Sequence, residues 1–115
     1  MEIIFYKMSN GTEPVKDFVR GLDKKMKAKM LSSITMLSEI GPALRSPISA
    51  PLEDGIFELR AIHGSDITRI LYFFYVGNKA VLTNGFVKKT QKTPKAEIKL
   101  AKKYREDYLR RYGNE

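Results

Sequence analysis

Between residues 56 and 87, three runs of strand-forming residues follow one another with almost no spare chain: 56–62, 67–76 and 80–87. β-branched and aromatic side chains dominate each run, and turn-forming residues separate them. Gly77-Asn78 reads as a two-residue hairpin turn, and His63-Gly64-Ser65-Asp66 can turn the first pair. Connections this short join antiparallel neighbours, because a parallel pair needs a crossover of a dozen residues or more. The middle of the chain is thereby committed to a small antiparallel sheet, and the rest must cover its apolar side.

Residues 2–7 read as a first short strand, and Asn10-Gly11 as a turn. Thr12 is placed to cap a helix that has Pro14 just inside its start and runs to about Leu22. Asp23 caps a second helix, in which Met26, Met30, Ile34, Leu37 and Ile40 recur at steps of three or four and share one face. Gly41-Pro42 ends it. Residues 43–54 read as irregular. Thr93 as N-cap and Pro94 in the first turn start a last helix, whose apolar side carries Ile98, Ala101, Tyr104, Tyr108 and Tyr112. The expected fold is α+β: a small antiparallel sheet packed against two N-terminal helices, with a C-terminal helix, and all helices on one side. A chain of 115 residues suits one domain, 1–115, with a single modest core.

Cysteine is absent, which excludes disulfides and thiolate metal sites. No His, Asp or Glu spacing suggests a metal site, and no glycine-rich loop suggests a nucleotide, so no cofactor or metal is expected. No apolar run approaches a membrane span or a secretory leader, and the cytoplasm is the expected location. The net charge of +8 points to a polyanionic partner. Lys88, Lys89, Lys92, Lys95, Lys99, Lys102, Lys103, Arg105, Arg110 and Arg111 crowd the last quarter of the chain.

Hairpin register brings the charges together. A turn at Gly77-Asn78 sets Val76 opposite Lys79, hence Arg69 opposite Phe86 and Leu71 opposite Asn84, with Lys88 one diagonal step from Arg69 on the same face. A turn centred on Gly64-Ser65 sets Ile62 opposite Ile67, Arg60 opposite Arg69 and Glu58 opposite Leu71. Glu58, Arg60, Arg69 and Lys88 then share one face. Phe57, Leu59, Ala61, Ile70, Tyr72, Phe74 and Val81 take the other, beneath the helices. Two facing arginines repel unless a carboxylate or a bound anion lies between them. Glu58 can supply an exposed ion-pair cluster, and the arginine forks also suit a phosphate. His63, the one histidine, sits in a turn and reads as loop decoration; the Tyr104, Tyr108, Tyr112 ladder reads as helix packing.

The segments "DGIFELRAIHGSDITRILYFFYVGNKAVLTNGFVKKTQKTP" and "EIKLAKKYREDYL" resemble the RelE/ParE-like toxin superfamily, in particular its HigB branch with many phage-derived members. The most specific parts are "FELR", the arginine of "TRILYFF", and "GFVKKTQKTP"; the likeness is densest from Leu52 to Tyr108. This resemblance implies a small antiparallel sheet against N-terminal helices. It also implies the toxin of a type II toxin–antitoxin system, a ribosome-dependent, metal-independent endoribonuclease that cuts mRNA in the ribosomal A site. The implied partner is a helix-turn-helix antitoxin of the HigA kind, with a heterotetramer as one open form of the complex. Arg69 matches the arginine used near the scissile phosphate, and Arg60 a second basic position of the cleft. Lys88 and Lys89 fall where the family places cations, and Lys92 extends them. "KTQKTP" departs from RelE in lacking a tyrosine, and the histidine set of some HigB relatives is also missing.

On this reading Arg60 and Arg69 stabilise charge at phosphorus, and Lys88 or Lys89 assists as proton donor. Glu58 is a base or an orienting partner for an arginine, with both roles open. Lys92, Lys95 and Lys99 bind nucleic acid. Two other readings share the sequence: a toxin of the same fold that inhibits a protein target such as DNA gyrase, and a non-enzymatic basic RNA-binding module.

Overall fold

A computed structural model describes residues 1–88 and 92–113 of the chain. Five strands, β1 (Glu2–Phe5), β2 (Ser49–Pro51), β3 (Phe57–His63), β4 (Asp66–Tyr75) and β5 (Lys79–Lys88), form one sheet in the order β1-β5-β4-β3-β2. The helices are α1 (Pro14–Arg20), α2 (Lys24–Ile40) and α3 (Lys95–Tyr112). The sheet is mixed rather than antiparallel throughout, because β1 lies parallel to β5, with Glu2 opposite Lys79 and Phe5 opposite Leu82. β2 arises within the stretch read as irregular. It borders β3 with Ser49 opposite Leu59, and it carries Pro51, which an edge strand tolerates.

Local signals account for most helix boundaries. The Asp23 carboxylate accepts from the Met26 amide at 3.0 Å and caps α2, while Gly41, at φ 70°, ends it. Thr12 does not cap α1: the N-cap is Glu13, which makes no side-chain capping bond, and Pro14 supplies the start instead.

The helices do not share one side of the sheet, contrary to expectation. The stripe of Met26, Met30, Ile34 and Leu37 packs with Val15 and Val19 of α1 against Leu59, Ala61, Ile70, Tyr72, Ala80 and Leu82. Ile98, Ala101 and Tyr108 of α3 pack on the opposite face, against Tyr6, Ile56, Leu71, Phe73 and Val81. Ile70, Leu71, Tyr72 and Phe73 are accordingly all buried, as consecutive strand residues must be when both faces are covered.

Val81 therefore belongs to the α3 face, not to the face beneath α1 and α2. A β-bulge explains the difference. β4 and β5 are joined by Val76, Gly77 and Asn78, with Tyr75 opposite Lys79, so the connection is one residue longer than a Gly77-Asn78 turn. The register then shifts between Leu71 and Tyr72, where Thr83 has no counterpart. Beyond the bulge Leu71 faces Asn84 and Arg69 faces Phe86, as expected from the sequence, because the longer turn and the bulge cancel. Between turn and bulge the two offsets do not cancel, and Val81 changes face.

Gly85 sits opposite Ile70, where α1 crosses the sheet. A methyl group there would stand 2.7 Å from Cε2 of Phe18, well inside contact distance. Gly85→Ala is expected to cost about 1–3 kcal/mol by overpacking. Urea unfolding would show it as a lower midpoint, partly restored by adding Phe18→Leu; an unchanged midpoint would mean that α1 shifts freely on the sheet.

Candidate functional site

The β3–β4 register places Arg60 directly opposite Arg69 and Glu58 opposite Leu71, as the hairpin argument requires. These three side chains meet on the α3 face, in a network that is buried rather than exposed. Glu58 has no solvent exposure and Arg69 only 5%. Oε2 of Glu58 accepts from Nε of Arg60 at 2.9 Å and also from Nη1 of Arg69. Arg60 lies nearer the surface, its side chain 22% exposed, and its Nη1 donates to the Pro47 carbonyl at 3.3 Å.

Two guanidinium groups on one carboxylate leave the cluster with one positive charge in excess. Burial draws the Arg69 pKa below the usual guanidinium value, the Glu58 charge opposes that shift, and Arg60 adds to it. Nε of Arg69 is buried and has no hydrogen-bond partner among the described residues. Such groups are uncommon in folded proteins, since an unsatisfied buried donor costs about 1–3 kcal/mol. The arrangement is suited to attracting an anion to Arg60 from the solvent side.

The other oxygen of Glu58 is held by a residue that sequence reasoning assigned elsewhere. The Thr93 hydroxyl donates to Oε1 of Glu58 instead of capping α3. The N-cap of α3 is Pro94, which makes no side-chain capping bond. The sequence carries no signal for this contact, because Thr-Pro before a helix reads as a cap and residues 58 and 93 are far apart.

α3 is anchored along its length. In its first turn, Asn84 Nδ2 donates to the Glu97 carbonyl at 3.2 Å and to Glu97 Oε1 at 3.0 Å. The bulged Thr83 hydroxyl supports Asn84 from below, 2.7 Å from its Oδ1. Midway, Lys102 Nζ pairs with Glu53 at 2.6 Å and Asp54 at 2.7 Å. Arg105 donates to the Asp54 carbonyl. At the far end, Asp107 Oδ2 accepts from the Tyr6 hydroxyl at 2.6 Å and from Arg111 at 2.7 Å. Burial, then the bond to Asp107, pushes the Tyr6 hydroxyl up to about 12.

The α3 cations thus divide. Lys102 and Arg105 fasten the loop before β3, with Glu53 and Asp54 opposing Lys102 across the fold. Lys92, Lys95 and Lys99 point to solvent, and Lys92 and Lys95 border a depression of about 250 Å³ with Leu52, Glu53, Thr93 and Ile98. Lys88 closes β5 opposite Ile67, and Lys89 lies outside the described residues. His63, at the end of β3, is exposed. Tyr108 is buried and Tyr104 stacks on Tyr6 at 4.6 Å, so this part of the ladder packs the helix down. No three His, Cys, Asp or Glu side chains among the described residues are grouped to share a metal ion. No helix among them is long and apolar enough to cross a membrane.

The chain is a basic α+β domain with a mixed five-stranded sheet, covered on both faces and carrying an arginine pair on a shared carboxylate. It belongs to the phage-derived protein Gp49-like family (DUF891), whose model matches residues 17–106. This is a RelE/HigB-like toxin family, associated with toxin–antitoxin systems, and membership suggests an antitoxin partner. No curated protein matches the chain.

Proposed function

We propose that the protein is a toxin of the HigB branch, a metal-independent endoribonuclease that cuts mRNA in the ribosomal A site. The observation that carries this reading is the arginine pair: Arg60 and Arg69, from adjacent strands, share a single buried carboxylate and keep a charge in excess. Exposed Lys92, Lys95 and Lys99 extend the positive potential beside it, which suits the phosphates flanking a cleavage point.

In the proposed reaction the ribose 2′-oxygen attacks the adjacent phosphorus while the 5′-oxygen of the next nucleotide departs. One proton passes from the 2′-hydroxyl to solvent water and one is delivered to the 5′-oxygen from a lysine, giving a 2′,3′-cyclic phosphate and a 5′-hydroxyl end. Arg60 meets the negative charge that accumulates on the phosphoryl oxygens. Arg69 supports it from beneath. Glu58 serves as orienting counter-charge rather than base, since it is closed to solvent and already accepts from three donors. Lys88 or Lys89 remains the proposed proton donor. The ribosome supplies the bent message, which lets a small domain act with an incomplete acid–base set. A helix-turn-helix antitoxin completes the system, and the cytoplasm is where both partners meet.

The test is primer-extension mapping of a defined messenger in a reconstituted translation system, with and without ribosomes. Cuts within codons that appear only with ribosomes are the expected result. An intact messenger with translation unaffected would reject the reading and direct attention to protein targets such as gyrase.

A further inference from the structure

Glu58 has two oxygens but uses them unequally. Both arginines converge on Oε2, while Oε1 is taken by the Thr93 hydroxyl. The economical arrangement for a buried Arg–carboxylate pair is the two-pronged fork, in which Nε and one Nη of the same guanidinium each meet an oxygen. Arg69 does not reach it, and its Nε stays buried without a partner among the described residues. Rotation about the last side-chain bond of a glutamate is soft, so the carboxylate requires something to hold it in the less economical orientation. Among the described residues, the one donor to Oε1 is Thr93.

We propose that Thr93 is a positioning residue: its hydroxyl holds the Glu58 carboxylate in the rotation that ties Arg60 and Arg69 to the same oxygen. Through Glu58 it fixes the guanidinium of Arg60, the arginine with access to solvent, in the orientation that receives phosphate. Without the hydroxyl, the carboxylate turns to Arg69, which gains its fork and satisfies its Nε. Arg60 loses the bond at its own Nε and swings free, held, among the described residues, by the Pro47 carbonyl. The link also joins α3 to the arginine pair: Thr93 stands two residues before the helix, which Asn84 anchors to the sheet at Glu97. This inference rests on the proposed ribonuclease reading for its catalytic consequence, but not for its geometry.

Thr93→Val keeps the shape of the side chain and removes the donor; Thr93→Ser keeps the donor. The geometric readout is the arginine Nε–H resonances of the full-length protein, observable for a 13.2 kDa chain and assigned with Arg60→Lys and Arg69→Lys. In Thr93→Val the Arg69 Nε–H is expected to move downfield as it gains a carboxylate, and the Arg60 Nε–H upfield as it loses one. Thr93→Ser should resemble the wild type. The functional readout is single-site cleavage at varied ribosome concentration. In Thr93→Val the kcat is expected to fall about ten- to a hundred-fold with KM little changed, the urea midpoint to hold or rise, and Thr93→Ser to restore the rate. A threonine that merely stabilised the fold would lower midpoint and rate together.

Unmoved Nε–H resonances in Thr93→Val would overturn the proposal whatever the cleavage rate. Moved resonances with wild-type cleavage would overturn the positioning role. If the wild type cuts no messenger under any condition, the ribonuclease reading falls, and the resonances alone decide whether Thr93 sets the arginine geometry.

Discussion

Arg60→Ala is expected to reduce ribosome-dependent cleavage by about 10²–10³-fold, the usual cost of removing one donor aimed at developing negative charge. The same change should cost the fold no more than about 2 kcal/mol, because Glu58 keeps its bonds to Arg69 and Thr93. That separation follows from where the two arginines lie. Arg60 carries the exposed edge of the cluster, so on the proposed reading its loss removes the group a phosphate would meet first; Arg69 lies behind it, nearly closed to solvent. Cleavage rate and urea midpoint measured on one preparation provide the check. Wild-type cleavage by Arg60→Ala would remove the arginine pair from the reaction. Arg60→Lys should recover binding of RNA better than it recovers rate, since an ammonium supplies charge without the planar fork.

The largest loss of stability is expected from Glu58→Ala. This substitution leaves the buried Arg69 guanidinium with no counter-charge and orphans the Thr93 hydroxyl. Breaking a buried ion pair from one side costs about 3–5 kcal/mol, a large part of the roughly 5–15 kcal/mol that holds a typical domain together. The urea midpoint should fall by about 2 M or more. Replacing both partners, as Glu58→Leu with Arg69→Met, should return most of that stability, because no charge is then left in the core. A Glu58→Ala protein as stable as the wild type would show that Arg69 reaches water, and the buried-pair account of the site would fail.

How far the sequence reveals this molecule depends on the range of the interactions involved. The β3–β4 pairing was legible from local features alone: turn residues at Gly64-Ser65 and alternating side chains set Arg60 opposite Arg69. The α2 boundaries were legible for the same reason, with Asp23 at one end and Gly41 at the other. Other features depend on distant chain. The bulge at Thr83 has no signature of its own, and it could cancel against the longer Val76–Gly77–Asn78 turn only in the completed sheet. β2 is too short and too rich in proline to declare itself. The placement of α3 on the far face had a visible clue, since four consecutive large apolar residues, Ile70-Leu71-Tyr72-Phe73, leave no polar face for solvent. Residues 58, 60 and 69 could be grouped by register. Their burial could not, because it depends on Thr93 and α3 arriving from the end of the chain. For the same reason the exposed ion-pair cluster that Glu58 can supply on the sequence alone, one of two open readings, is in the structure a buried network.

The parallel pairing of β1 with β5 has a consequence for the order in which the molecule is made. Residues 2–5 have no strand to join until residues 79–82 exist, and the Glu58 oxygen held by Thr93 waits for later residues still. Chains emerge at about 5–20 residues per second, and non-local sheets close late. The nascent polypeptide can therefore pair Arg60 with Arg69 in the β3–β4 hairpin, but it has no completed sheet and no hold on Glu58 from Thr93 until residues 79–93 are made. A protein proposed to act on the machinery that translates it would reach its active shape only once that machinery had made the segment through Thr93.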